Sequence, residues 1–399
     1  MRRSIRAGVC RRAQTAVATV AAIAAALVYG RPVAAQASGD GLPPIVDSPQ
    51  IFASQPSPYY FYRDVPGSNR YVGPIDVMLN KAFNMSQATN RSRRIFRTGY
   101  GVEHVTNSIF HPIRSIERSG GWGEFFETQI LPIQAVKWVA AGFDWKAADN
   151  MTWYPNYMGH LVEGGITSRR LAEKLHAQGV PMPGLIASAV TMTAAMVNEA
   201  YTHPDLTEGT GATVADLYVF DLGGILLFSS DPVARFFSEK LHASIWTGQA
   251  SLAYVGGELQ LANNANNLVF KIPLWFTDDV SVFWRTAVGS HLGATLHLRG
   301  GYDLSIGGGA DTSQQKIDPV TGHELVNIRP SASLWLDRDD SVLASLYWST
   351  VDRRVFTANV FPDVILPGVG VWLAVTRDRS FELGLSHRAA LGLGLGAGF

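Results

Sequence analysis

The last nine residues, Leu391-Gly392-Leu393-Gly394-Leu395-Gly396-Ala397-Gly398-Phe399, place a glycine at every second position. A β-strand sends successive side chains to opposite faces, so this stretch reads as a strand with one apolar face and one bare face. A helix would scatter the same leucines around its circumference. The bare face predicts space beside the strand, where a helix could approach closely.

The same period of two extends upstream to about residue 242. Ala294, Leu296 and Leu298 alternate with Thr295, His297 and Arg299; Ala332, Leu334 and Leu336 alternate with Ser331, Ser333 and Trp335; Phe381, Leu383 and Leu385 alternate with Glu382, Gly384 and Ser386. Antiparallel strands with one apolar face follow from this pattern. Turn signals separate them at Asp278-Asp279, Asp337 to Asp340 and Asp363 to Gly368, and the Gly307–Glu324 segment reads as a long exposed loop. At about 9–11 residues per strand, an even number of roughly 8 to 12 strands fits residues 241–399. In a soluble sandwich the apolar face points inward, and in a membrane barrel it points outward at lipid. Trp275-Phe276, Trp284, Tyr347-Trp348 and Trp372 fit interfacial girdles and a sandwich core equally.

Residues 76–240 have helical periodicity. One helix is predicted over Ser168–Gln178, with Ser168 as N-cap, Gly179 just past the end and Pro181 beyond it. A second spans about Gly184 to Tyr201, and a third about Thr213 to Phe228, where Thr213 and Asp216 form a capping-box-like pair. Both longer helices are apolar enough to be buried on most sides. Residues 38–75 are rich in Pro, Ser and Gly and include, after Pro56-Ser57-Pro58, the aromatic run Tyr59-Tyr60-Phe61-Tyr62, an extended leader laid on something apolar.

Residues 1–37 read as an export signal. Arg2, Arg3, Arg6, Arg11 and Arg12 precede an alanine-rich apolar run, and Ala35-Gln36-Ala37 supplies small residues for cleavage. An uncleaved anchor is the alternative. The full chain has 33 basic and 33 acidic residues. The signal holds six arginines and no acid, so its removal leaves 27 basic against 33 acidic residues. That balance excludes a nucleic-acid partner, whose phosphates require a basic excess. The only cysteine, Cys10, lies within the signal and ahead of its apolar run, so a lipid anchor, disulfides and thiol chemistry are not expected. Charged residues are 17% of the chain, against about 25% in an ordinary soluble domain.

An exported chain whose alternating final strand stops on Phe399 resembles bacterial outer-membrane β-barrel proteins. The resemblance is strict over about ten residues and loose over about 155. It implies outer-membrane localisation, lipid as the surrounding partner, and recognition of the terminal strand by the barrel-assembly machinery. The fold expected is α+β: a helical N-terminal half that plugs the barrel or lies across its periplasmic mouth, and a C-terminal antiparallel barrel.

No nucleophile elbow, phosphate loop or two-histidine zinc helix is present, and no cofactor is implied. Candidate chemistry lies in polar residues of the helical half. Asn156, His160 and Glu163 fall at i, i+4 and i+7, on one face of a helix. Asn107 and His111 repeat the first spacing. Asn198, Glu199 and His203 cluster at the polar end of an apolar helix. Asp216 and Asp221 diverge by about 140° on a regular helix and meet one partner only if that helix is irregular. His160, Glu163 and Glu199 are the catalytic candidates, as general base or metal ligands; Asn156, His203, Asp216 and Asp221 are further polar candidates. His160, Glu199 and Asp221-Leu222-Gly223-Gly224 resemble the VanZ-like group of small bacterial membrane proteins, which set a His, an acid and an Asp/Asn–Gly pattern on successive apolar helices.

The structural alternative pairs these acids with bases on the strands, such as Arg285, His297 and Arg299, with Glu382 facing the same interior. Arg169-Arg170 reads as a solvated helix end or a headgroup contact. The functions open to the chain are an envelope protein handling lipid or another amphiphile, a lipid-modifying hydrolase or transferase, a passive channel, and a soluble periplasmic sandwich.

Overall fold

The computed structural model of the protein describes residues 59–84, 96, 99–131, 155–287, 289–317, 324–351, 353–387 and 394–398. The predicted export signal, most of the leader and the terminal Phe399 lie outside these residues. The fold is α+β, with described helices up to residue 240 and a single mixed sheet after it.

Thirteen strands build the sheet: β1 Ala243–Thr247, β2 Ser251–Val255, β3 Glu258–Ala262, β4 Asn266–Leu274, β5 Thr277–Thr286, β6 Gly289–His297, β7 Tyr302–Ile317, β8 Glu324–Arg338, β9 Ser341–Ser349, β10 Arg354–Val360, β11 Val369–Thr376, β12 Phe381–His387 and β13 Gly394–Gly398. Their ladders run in one linear order, β1-β4-β5 through to β13-β2-β3, and do not form a ring. Thirteen exceeds the predicted number. One pair, β13 on β2, is parallel where alternation predicts antiparallel pairing throughout. An even number of chain reversals separates the two strands, so they point the same way.

The extra strands arise from one interruption. Thr247 pairs with Asn266 and Ser251 with Ala262, so the register is unchanged across residues 248–250 and 263–265. A helical-half side chain reaches into the gap between the two ladders. Asn80 Oδ1 accepts from the Ala265 N–H (2.8 Å), and its Nδ2 donates to the Gly248 carbonyl (3.3 Å). Backbone groups that leave a ladder must find other partners, and Asn80 supplies two of them.

The predicted loop at Gly307–Glu324 is largely strand, because β7 pairs with β8 out to Ile317 and Glu324. Asp278 and Asp279 lie in β5, and the turn falls on Trp275-Phe276 instead. The turn at Asp339-Asp340 forms as predicted, with both residues at positive φ (52° and 62°).

β6 and β12 expose their leucines and bury polar side chains between them, and Trp246, Phe283, Trp335 and Trp372 share the sheet's buried face. In β12, Phe381, Leu383 and Leu385 are exposed while Glu382, Gly384 and Ser386 are buried. Leu385 is 55% and Leu395 of β13 69% exposed, whereas Thr295 and Ser305 are fully buried. The buried face meets itself across several strands. The Trp246 ring of β1 lies 5.2 Å from that of Trp335 of β8, and Lys271 of β4 bonds Asp337 of β8 (2.5 Å). Gln249 Nε2 donates to the carbonyls of Val360 (3.2 Å) and Val371 (3.4 Å).

The bare face of the last strand is filled by a side chain rather than a helix. A Cβ on Gly396 would stand 2.9 Å from Trp372 Cζ2, and one on Gly394 2.3 Å from Ser251 Oγ. Trp372 lies between β12 and β13 with its Nε1 donating to Ser251 Oγ (2.8 Å), so the glycines admit an indole.

The helical half covers one face of β1 and β4. Ala243, Ile245, Leu268 and Phe270 pack with Tyr60, Phe61, Val162, Ile166 and Phe228, while Trp246 and Val269 pack on the opposite side with Phe283 and Trp335. Burial on both faces explains why Leu268-Val269-Phe270 is continuously apolar rather than alternating. The aromatic run within the leader is anchored, since the backbone N–H groups of Tyr60, Phe61 and Tyr62 all donate to the buried Glu173 carboxylate (3.0, 2.8 and 2.8 Å). Among described helices, only Gly211–Phe228 is long and apolar enough to cross a membrane; its mean hydropathy is 1.5 and over half of it is buried inside the protein.

Candidate functional site

Two helical stretches cross at glycines and carry the site. A π-helix over Pro155–Glu163 runs directly into the helix Gly164–Ala177, so Ser168 is an interior residue rather than an N-cap. The second stretch begins at Gly211–Val214, passes through a π-helix over Ala215–Asp221 and continues as Leu222–Phe228. Its cap is Thr210, whose side chain accepts from the Thr213 N–H (3.3 Å), in place of the predicted Thr213 and Asp216 pair. A Cβ on Gly165 would lie 2.6 Å from the Gly224 carbonyl oxygen, and one on Gly224 2.2 Å from that of Leu161. Only glycine permits backbones this close.

The π-helix resolves the geometry of the two aspartates. Its hydrogen bonds join residues five apart, so Asp216 and Asp221 stack one turn above the other. Both face His160. Nδ1 donates to Asp221 Oδ2 (2.9 Å), and Nε2 lies 4.0 Å from Asp216 Oδ2. Asp221 Oδ1 pairs with the buried Lys81 ammonium at 3.1 Å. A Cβ on Gly164 would fall 3.1 Å from Asp221 Oδ1 and 3.2 Å from Lys81 Nζ, so that glycine leaves room for the pair.

Glu199 enters from the helix Pro183–Thr202. Its Oε2 accepts from the Thr213 hydroxyl (2.7 Å), which also lies 2.9 Å from His104 Nε2. His104 Nδ1 donates to the Glu208 carbonyl, which can only accept. A neutral His104 has then spent its one N–H, so its Nε2 and Glu199 compete for a single hydroxyl proton. His203 Nδ1 lies 3.7 Å from Glu199 Oε2.

Charge balance sets the protonation of the centre. Burial pushes the His160 pKa down, but Asp216 and Asp221 outweigh it and raise it to about 10. Burial raises Asp216 to about 8, helped by Glu199 and Asp221 and opposed by His160. Asp221 also suffers burial, yet Lys81 and His160 hold it below the ordinary carboxylate range. Burial and His203 lower His104 to about 4. The aspartates it faces thus hold His160 toward its protonated form, Lys81 and His160 hold Asp221 ionised, and the Asp221 carboxylate fixes the imidazole ring.

The other predicted residues separate. Glu163 accepts from Asn266 Nδ2 of β4, and Asn156 Nδ2 donates to the Gln129 carbonyl (3.2 Å), away from His160. The π-helical winding carries Glu163, seven residues on, away from the face it would share with Asn156 in a regular α-helix. Asn107 Nδ2 donates to the Thr207 carbonyl (2.8 Å), and His111 ends its helix.

The proposed strand bases do not reach the helical acids. Arg285 bonds Asn267 (2.7 Å), His297 bonds Asp303 (2.8 Å), and Glu382 pairs with Arg354. Arg169 and Arg170 are buried rather than solvated. Arg169 bonds Glu173 (2.9 Å) and Asp231 (2.7 Å), and Arg170 reaches Asn69 Oδ1 and the Ile245 carbonyl (2.7 and 2.8 Å).

Lys81, His104 and Thr213 escaped the sequence reading. Lys81 left one signal, a lone cation in the apolar stretch Val77-Met78-Leu79-Asn80-Lys81-Ala82-Phe83.

A cavity lies against the buried face of the sheet. It encloses about 830 Å³, part of it open to solvent, and is lined by Asn263, Asn267, Arg285, Asp311, Tyr347 and Asn359 among others. No family model, curated protein or solved structure matches this chain.

Proposed function

We propose that the protein is an outer-membrane β-barrel protein with a helical domain beside the β1–β4 hairpin, and that it handles lipid or another amphiphile. The observation that carries this reading is the inverted polarity of the strands, with leucines outside and Glu382, Ser386, Thr295 and Ser305 inside. A soluble sandwich requires the opposite arrangement. The unchanged register of β1–β2 against β3–β4, together with contacts between β1 or β4 and β8, supports closure of the sheet into a barrel. Exposed Trp275 and Phe276 at a strand turn fit an interfacial girdle. Exposed Tyr218, Val219, Leu226 and Leu227 give the helical half an apolar surface of its own, suited to an amphiphile. Fractionation and gel mobility test the reading. A heat-dependent shift of protein recovered from the outer membrane is expected; recovery from the soluble periplasm without a shift overturns it.

Catalysis on a lipid headgroup is the second reading, favoured by the 2.9 Å His160–Asp221 hydrogen bond and by Glu199 nearby. Mass spectrometry of envelope lipids tests it. His160→Ala and Glu199→Gln are expected to reproduce the lipid profile of a deletion strain, and a profile equal to wild type in all three rejects catalysis.

A further inference from the structure

We propose that His160, Glu199 and Asp216 bind a divalent transition-metal ion. Each of the three offers one ligand atom, and these atoms lie within 4.8 Å of one another. They arrive from three separate helical stretches packed around one point. The inference does not depend on where the strands reside.

Three further observations favour a cation there. His160 Nδ1 is already committed to Asp221, which fixes the ring and turns Nε2 toward Asp216 and Glu199. A carboxylate on the far nitrogen is the usual support of a metal-bound imidazole. Asp216 Oδ1 is buried and has no hydrogen-bond partner among the described residues. Glu199 and Asp216 both bring a carboxylate oxygen to the Nε2 side of the His160 ring, where a divalent ion would satisfy the two together.

His104, Glu199 and His203 form a second cluster of comparable spacing. Both ring nitrogens of His104 are already engaged, by the Glu208 carbonyl and by Thr213. To bind an ion there, His104 Nε2 would have to give up the Thr213 hydroxyl, whereas His160 Nε2 has no hydrogen bond among the described residues. One imidazole and two carboxylates leave coordination positions open, the arrangement of a site that also takes water or substrate oxygen. Lys81 acts as a positioning residue, holding Asp221 from its other oxygen.

Equilibrium dialysis of the full chain in detergent against Zn²⁺, followed by metal analysis, tests this. Wild type is expected to retain one equivalent. His160→Ala, Glu199→Gln and Asp216→Asn are expected to weaken binding by more than 100-fold, and Asp221→Asn by about 10–100-fold. His104→Ala is expected to bind as wild type does. Hydrogen exchange of unaltered wild type gives a readout independent of variant folding, with Zn²⁺ slowing exchange in 155–163, 196–203 and 211–221. Absence of that protection, binding equal in all variants, or loss confined to His104→Ala overturns the proposal.

Discussion

His160 Nδ1 and Asp221 Oδ2, 61 residues apart in the chain, meet at 2.9 Å where two helices cross on glycine. The contact depends on backbones that no side chain separates.

Gly165→Ala is therefore expected to part the pair. Its Cβ would stand 2.6 Å from the Gly224 carbonyl oxygen and 2.4 Å from Phe228 Cδ2, and the carbonyl cannot yield as a side chain can. A loss of about 1–3 kcal/mol follows from such overpacking. Gly159→Ala is the control, since its Cβ meets nothing within 4 Å. Thermal melting and limited proteolysis of both variants distinguish them; equal behaviour refutes the crossing argument.

Arginine at an exposed strand position reports what the sheet faces. Leu385→Arg is expected to cost about 2–4 kcal/mol if the apolar face meets the middle of a bilayer. On a water-exposed surface the same change stays within about 0.5 kcal/mol. Urea-dependent folding into lipid vesicles measures the difference.

Arg354 and Glu382 form an ion pair inside the sheet, with the guanidinium 5.7 Å from the Trp372 ring. Removing one partner strands a buried charge. Arg354→Leu alone is expected to cost about 3–5 kcal/mol, and the double variant with Glu382→Leu to recover most of it. A double-mutant cycle in the same folding assay would contradict this if the two losses simply added.

Asp76 supplies a pH signature. Burial raises its pKa to about 7, against the opposing pull of Arg170, Lys174 and the Asn80 hydrogen bond. The folded state thus holds this proton more tightly than the unfolded chain does. The associated stability is complete below about pH 4 and is lost as the pH rises through about 7. Asp76→Asn is expected to remove this part of the pH dependence. Hydrogen exchange of Pro74–Ala82 at pH 5 and pH 8, corrected for intrinsic rates, checks it. An unchanged difference between wild type and variant across that range counts against the assignment.

The alternation of Leu383, Leu385 and Leu395 with small or polar residues made the strands legible, because a period of two needs no distant partner to be read. Helix ends that depend on local chemistry were legible too, as at Gly179, whose φ of 72° marks the predicted stop. Helix starts were harder. Ser168 looks like a cap in isolation, but the chain enters that helix from an unbroken π-helical turn.

By itself the sequence determined the α+β division and the candidate acids and imidazole, since both rest on residue type and short-range period. Tertiary structure decided which of them meet. The π-helical turn brings Asp216 and Asp221 onto one face, and Gly165 and Gly224 let the helices close. Lys81, far away in the chain, then balances Asp221. The apolar strand face is equally plain in the sequence, but its direction is not. Alternation is identical whether leucines point in or out; only the packing of Trp372, Lys271 and Gln249 on the other face fixes it.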